Sequence, residues 1–234
     1  MESDPCDLSI VIPAWNEAGN LRHLLPMLEA TLAELKLPYE IIVVDGGSSD
    51  DSFEVARQHG ARFLTQSERG YGGALLAGFA AARADWILTM DADLSHQPDF
   101  IPVLWRNRAT ADVFIASRYV KGGRSDAGRF RALLSVILNV AFFLILRIPV
   151  RDMSSGFRMY RRTVLSGMDF AGRDFDALEE ILVLAHVGGA SIREVPFHYK
   201  SRGTGKSHTR LIRFGIAYVK ALARLRRLRS TARA

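Results

Sequence analysis

Short apolar runs alternate along this chain with longer stretches in which apolar positions recur every three or four residues. The runs are Leu8-Ser-Ile-Val-Ile-Pro13, Glu40-Ile-Ile-Val-Val-Asp45, Trp86–Met90 and Asp112–Arg118, with a shorter one at Arg62–Thr65. Runs that are apolar at successive positions, rather than alternate ones, predict strands buried on both faces. Leu21, Leu24, Leu25, Leu28, Leu32 and Leu35 share one helical face, predicting a helix over Asn20–Lys36 with Asn20 as its cap. Further helices are expected near Asp51–His59 and over Gly73–Arg83. Strands and helices in strict alternation predict an α/β fold, a mostly parallel sheet flanked by helices on both faces. Sheets of this kind bind ligands beyond the carboxyl ends of their strands. Pro13, Asp45 and Asp91 fall at those ends.

The rhythm changes after residue 112. An apolar segment covers 132–150, then come Met159–Arg162, a helix over Phe175–Ala185, a last strand over Ser191–Tyr199 and a basic helical pattern to the end. Ala132–Leu146 is 15 residues long. As a helix it spans about 22 Å, short of a hydrocarbon core of about 30 Å. Arg131, Ser135 and Asn139 lie at i, i+4 and i+8 as one polar stripe on an otherwise apolar cylinder. A helix lying in a membrane interface would set that stripe against a phosphate head group and its other faces against lipid.

The chain's 234 residues, 48% hydrophobic, are ample for a sizeable core. We divide them into a domain over 1–205, containing the interfacial helix near 129–147, and a basic amphipathic helix over 206–234. The single Cys6 has no internal partner, so a reducing compartment is expected. The acids Glu2, Asp4 and Asp7, without a basic n-region, argue against a secretory signal. The net charge of +6 conceals an asymmetry. From Lys200 onward there are 11 Lys/Arg and no Asp/Glu, leaving residues 1–199 with 20 basic and 25 acidic groups, a net of −5. A basic tail suits a polyanion, either nucleic acid or an anionic membrane surface. Arg213, Lys220, Arg224 and Arg227 on one helical face, with Leu211, Phe214, Tyr218, Leu222 and Leu225 on another, fit a membrane surface or packing on the body equally well.

The chemistry begins with Asp91-Ala-Asp93 at the end of a buried strand. Two carboxylates one residue apart raise each other's cost of ionisation unless a cation offsets it. As hard oxygen donors they suit Mg²⁺ or Mn²⁺, with diphosphate oxygens completing the shell. In chain order, Pro13-Ala-Trp15-Asn16-Glu17, Asp45-Gly-Gly-Ser-Ser-Asp50 and Asp91-Ala-Asp93 each follow a strand. This order resembles family 2 glycosyltransferases of the GT-A fold. Asp91-Ala-Asp-Leu-Ser-His-Gln-Pro98, Ser117-Arg-Tyr119, Asp152-Met-Ser-Ser-Gly-Phe-Arg158 with Tyr160, and Glu194-Val-Pro196 resemble the dolichyl/polyprenyl-phosphate mannosyltransferases within that family. The resemblance covers roughly residues 8–208.

The resemblance implies transfer of mannose from GDP-mannose to a polyprenyl phosphate, with inversion at the anomeric carbon. It carries donor contacts onto Pro13, Trp15, Glu17, Val44 and Asp45, and onto Asp91, Ala92, Asp93 and Arg118. It puts the metal on Asp91 and Asp93. Arg202, Lys206 and His208 match a phosphate-clamping loop, with Asp93 and Arg202 the residues closest to the chemistry. The acceptor phosphate falls to Arg118, Arg131 and Ser135. Arg69 is an additional positive group, and Glu180 matches a carboxylate of the family. A phosphate monoester has a second pKa of about 6, so it is already nucleophilic at neutral pH and requires no dedicated base. Longer members continue into transmembrane helices. Here a peripheral location on the cytoplasmic face of a membrane is expected, alone or with a separate membrane-anchoring subunit, and no nucleic acid.

Three positions depart from the pattern. Gly46 stands where the family has a second Asp, which puts the nucleobase in question and keeps UDP-glucose or UDP-N-acetylglucosamine as alternative donors. Trp15 replaces a Tyr and can still stack on a base. In Arg202–His208 the final Lys is replaced by His208, while Lys206 comes two residues earlier. Other classes fit poorly. Gly70-Tyr-Gly72-Gly73-Ala-Leu75 lacks the third Gly of a dinucleotide fingerprint and follows the third strand rather than the first. An Asp-x-Asp phosphatase would need an Asp where Pro13-Ala-Trp stands. A non-catalytic membrane adaptor would have no use for Asp91, Asp93 and Arg118.

Overall fold

The computed structural model describes residues 6–126, 129–174, 176–200 and 222–227, with backbone only for 129–132 and 134. The chain runs β1 (Leu8–Ala14), α1 (Ala18–Leu35), β2 (Tyr39–Asp45), α2 (Ser52–Gln58), β3 (Arg62–Thr65), α3 (Gly70–Ala81) and β4 (Trp86–Thr89). After a 3₁₀ turn at Pro98–Phe100 come α4 (Ile101–Asn107), β5 (Val113–Ser117), β6 (Arg124–Ser125), α5 (Arg129–Leu146), β7 (Arg158–Arg161), α6 (Arg162–Leu165), α7 (Asp176–Val187), β8 (Ile192–Pro196) and β9 (His198–Tyr199).

Seven strands form the central sheet in the order β3-β2-β1-β4-β7-β5-β8. β1 pairs in parallel with β2 on one side and β4 on the other, Leu8 lying opposite both Tyr39 and Trp86. β7 is antiparallel to both its neighbours, β4 and β5. The strands are apolar on both faces because both faces are covered. Leu8, Ile10 and Ile12 pack with α1, α2 and α4, whereas Val11, Ile42, Val44 and Ile115 pack with α3, α5, α6 and α7. Strand order reverses between β1 and β4, so the crevice beyond their carboxyl ends is a switch point of the kind that binds ligands.

Two helix starts differ from the sequence expectation. α1 begins at Ala18, so Asn20 lies inside the helix, buried, and donates from its side chain to Glu17 Oε2 at 2.5 Å. The starting N–H of Ala18 is accepted instead by Asp50 Oδ2, a long-range partner that local spacing does not reveal. α3 begins at Gly70, so Gly70-Tyr-Gly-Gly is the first helical turn rather than a loop. Glycine is needed there for closeness: a Cβ on Gly70 or Gly72 would lie 2.1 Å from the carbonyl oxygen of Arg173 or Gly172.

Candidate active site

At the end of β1 the chain turns sharply through Asn16, whose φ of 55° is left-handed, a conformation Asn tolerates. Its side-chain oxygen accepts the Ser49 N–H, and its own N–H donates to Ser48 Oγ. This ties the β1 turn to the β2 turn. Asp45, buried, accepts the N–H groups of Gly47 and Ser48 and the Ser48 hydroxyl at 2.5 Å, so it shapes the Gly-Gly-Ser turn. Trp15 presents half its surface to solvent, 51%, above this turn. A Cβ built on Gly46 would meet Trp15 Cβ and Cδ1 at 3.5 and 3.7 Å, ordinary contact distances.

At the end of β4, Asp91 is half-buried and Asp93 buried. Asp93 Oδ1 accepts both the N–H and the hydroxyl of Ser95. The Asp91 N–H donates to His96 Nδ1 at 2.9 Å, and Tyr71 Oη donates to Asp91 Oδ1 at 3.2 Å. Since Nδ1 of His96 accepts, the ring's proton sits on Nε2, 3.8 Å from Asp91 Oδ2. His96 is buried and stacked on Phe157 at 5.0 Å. Burial lowers its pKa against the pull of Asp91 and Asp93, which keeps it neutral. Burial, and then the charge of Asp91, push the Tyr71 phenol well above its usual range, so it keeps its proton and donates. Among the described residues no three His, Cys, Asp or Glu side chains cluster as a closed metal site. Two carboxylates one residue apart after β4 instead fit an Mg²⁺ or Mn²⁺ ion that takes its remaining oxygens from water and a diphosphate.

Three motifs that are distant in sequence interlock at the end of β5. Arg118 makes a forked pair with buried Asp152, Nε at 2.8 Å and Nη2 at 2.6 Å, and its own N–H donates to the same carboxylate. Nη2 also donates to Ser154 Oγ. Burial would lower the Arg118 pKa, but the Asp152 bonds outweigh it and hold the guanidinium charged. Glu194 in turn accepts the Ser117 hydroxyl and the N–H groups of Arg151 and Asp152. Tyr199 joins this cluster to the aspartate turn: its ring lies 5.6 Å from the Arg118 guanidinium and edge-on to His96 at 6.3 Å.

Helix α5 docks on the same turn. Asn139, buried, accepts the Met153 N–H and donates to Ser154 Oγ, and it reaches back to half-buried Ser135 at 3.4 Å. The inner part of the polar stripe therefore meets protein. The side chain of Arg131 lies outside what is described, as do Arg202, Lys206 and His208.

Other expected residues fall as follows. Pro13 and Glu17 are half-buried at the end of β1 and the start of α1, whereas Val44 and Ala92 are buried core residues. Arg69 is exposed at the start of α3. Glu180 is buried. It accepts the N–H groups of Ala171 and Gly172 and pairs with Arg224 at 2.8 Å. These bonds give Glu180 a structural employment. Arg224 also pairs with Asp176, and Leu225 is buried in the core, so the described part of the basic tail, 222–227, packs on α7. Sequence reasoning assigned no role to Arg158 or Glu179. Arg158 is fully buried and donates to the carbonyls of Leu178 and Met153. Glu179 is buried, and among the described residues neither carboxylate oxygen has a hydrogen-bond partner. An acid in a helix beside a second acid carries no sequence signal of burial.

Comparison with known proteins accords with this geometry. The sequence model described as glycosyl transferase family 2 matches residues 9–168. A dolichol-phosphate mannosyltransferase of Pyrococcus furiosus is 34% identical over 209 residues, covering 86% of this chain and 58% of the relative. An undecaprenyl-phosphate 4-deoxy-4-formamido-L-arabinose transferase of Pseudomonas fluorescens is 33% identical over 207 residues, covering 86% and 59%. The chain thus spans a little over half the length of these curated relatives. Among solved structures, mannosyl-3-phosphoglycerate synthase from Rubrobacter xylanophilus superposes with a TM-score of 0.76 at 23% identity, covering 98% of this chain and 76% of that one. Glucosyl-3-phosphoglycerate synthase from Mycobacterium tuberculosis, solved with Mn²⁺, UDP and glucosyl-3-phosphoglycerate, gives 0.69 at 22%, covering 93% and 78%. These neighbours share the GT-A fold. By its matched sequence, its switch-point crevice and its paired aspartates, this chain belongs to glycosyl transferase family 2.

Proposed function

We propose that the chain is a polyprenyl-phosphate hexosyltransferase that passes mannose from GDP-mannose to a lipid phosphate with inversion. The observation that carries the lipid acceptor is the outer face of α5. Leu133, Val136, Ile137, Val140, Phe143, Leu144 and Ile145 are each 38–64% exposed. The opposite face, through Asn139, is bonded to the turn that holds Arg118. A helix with one side apolar and exposed and the other fastened to the turn that holds Arg118 suits a protein that lies on a bilayer and receives its substrate from it. Among the described residues no helix is long and apolar enough to cross a membrane. The two relatives named above, each called a transferase to a polyprenyl phosphate, support the same acceptor class.

In this reading Trp15 stacks on the nucleobase and the β2 turn shaped by Asp45 lines the nucleoside. Arg118, oriented by Asp152, holds the acceptor phosphate together with Arg131 and Ser135. An acceptor oxygen attacks the anomeric carbon from the side opposite the diphosphate. The new C–O bond forms as the bond to the diphosphate breaks, and the nucleoside diphosphate leaves. Asp91 and Asp93 would hold an Mg²⁺ or Mn²⁺ ion, which when bound neutralises charge on the departing diphosphate. A panel of GDP-mannose, UDP-glucose and UDP-N-acetylglucosamine with a polyprenyl phosphate and Mg²⁺ tests the reading. Mannosyl lipid from GDP-mannose is expected, and no glycolipid from any donor overturns it.

Gly46 favours a second reading, a UDP-sugar donor. Gly46→Asp should fold normally, because its Cβ meets only ordinary contacts. An added carboxylate can accept two N–H groups from guanine but one from uracil, so the variant should raise the GDP/UDP affinity ratio about threefold or more. Competition binding of the two nucleotides measures it. The α5 face predicts a separate outcome. Ile137→Glu combined with Leu144→Glu should weaken binding to anionic vesicles about tenfold or more while leaving the melting temperature unchanged, as both side chains are exposed. Vesicle co-sedimentation checks it.

A further inference from the structure

Asp91 is held from three directions by groups that have no place in the sugar-transfer steps above. Its N–H is accepted by His96 Nδ1, its Oδ1 receives the Tyr71 hydroxyl, and its Oδ2 lies 3.8 Å from His96 Nε2. Tyr71 itself is placed by an unusual amount of structure. The Gly72 N–H donates to the Arg173 carbonyl at 2.9 Å, and both Gly70 and Gly72 sit too close to the 172–173 carbonyls for any side chain. The side chains of Arg173 and Glu68 form an ion pair across the same junction. Glu180 fastens the far side of that turn through the N–H groups of Ala171 and Gly172, and Arg224 fastens Glu180. Opposite the phenol, a Cβ on Gly156 would lie 2.8 Å from Tyr71 Oη and 3.3 Å from Asp91 Oδ1. Glycine there keeps the approach open.

We propose that Tyr71 is a positioning residue that fixes the orientation of Asp91 toward a divalent cation, with the 171–173 turn and Gly156 as its mounts. The proposal rests on Asp91 and Asp93 being the metal-holding pair. A hydroxyl donating to one oxygen of a metal carboxylate restricts its rotation and leaves the other oxygen directed at the ion. Partners of this kind change metal affinity about 10–100-fold when removed. Asp91 is half-buried, so water can replace the lost hydroxyl and the fold should survive its removal.

The test measures Mn²⁺ binding to the protein without donor or acceptor, by the loss of free-ion electron paramagnetic resonance signal. Tyr71→Phe should weaken binding about tenfold with an unchanged melting temperature. Gly156→Ala should weaken it similarly by crowding the hydroxyl. In the Tyr71→Phe background, Gly156→Ala should cost less than in the parent, because the 2.8 Å collision with the hydroxyl is gone and only the 3.3 Å approach to Asp91 Oδ1 remains. Asp93→Asn serves as the reference. If Asp93→Asn weakens Mn²⁺ binding and Tyr71→Phe leaves it within about twofold of the parent, the positioning role is overturned and the metal pair stands. If neither changes binding, the metal pair itself fails and the proposal fails with it.

Discussion

On the proposed function, Asp93→Asn is expected to lower kcat for sugar transfer about 10²–10³-fold while the protein folds as before. The substitution keeps the side chain's shape, and an amide oxygen can still accept the Ser95 N–H and hydroxyl that now bond to Oδ1. What it removes is a negative charge one residue from Asp91. A cation held by one carboxylate instead of two would bind more weakly and would offset less of the charge that builds on the departing diphosphate. Loss of a single well-placed electrostatic partner of a transition state costs about 10²–10³ in rate. Rates measured across an Mn²⁺ titration should show the deficit reduced, not removed, at high metal. Activity within threefold of the parent at all metal concentrations would falsify the metal role of Asp93.

The second large effect concerns stability and pH. Glu179 is fully buried, with no hydrogen bond to either carboxylate oxygen among the described residues, and burial pushes its pKa from an ordinary 4.5 to about 8. The native state therefore keeps this proton where the unfolded chain has released it. Below pH 4.5 the contribution to stability is fully present. Between about pH 4.5 and 8 it falls by about 1.4 kcal/mol per pH unit, and above 8 it is gone, a total of about 4–5 kcal/mol. Glu179→Gln cannot titrate, so its stability profile should be flatter by that amount. The amide has a desolvation cost of its own, but that cost is the same at every pH. The readout is the slope: urea unfolding of both proteins at pH 5, 6, 7 and 8. Parallel profiles would show that Glu179 is not the buried acid described here.

Much of the fold was legible because the local pattern and the tertiary structure agree. Ile41–Val44 is apolar at every position because helices cover both faces of β2. The aspartate pair was legible because it follows such a run. What the sequence hid is long-range. The first turn of α1 finds its acceptor at Asp50, 32 residues away, and Asn20 reads as a cap only while that partner is unknown. β7 is Arg-Met-Tyr-Arg, four residues with a charge at each end, and nothing local says that it runs antiparallel between β4 and β5 or that Arg158 is buried. Asp152 and Glu194 stood out as parts of motifs, but their work of fixing Arg118 depends on three loops that only the folded chain brings together. The stripe on α5 had the right period, yet its inner member Asn139 faces the 153–154 backbone and hydroxyl rather than a ligand.

The outward side of α5 changes what concentration means for this protein. If the chain lies on a bilayer as proposed, seven large apolar side chains facing out would make bulk water the poorer of two solvents, and the chain would partition rather than simply dissolve. A polyprenyl phosphate acceptor would be confined to the same thin layer. Their encounters would then take place in two dimensions, and the quantity governing saturation would be the mole fraction of acceptor in the leaflet. Diluting the bilayer with inert lipid slows such an enzyme even when the amount of acceptor per litre is unchanged.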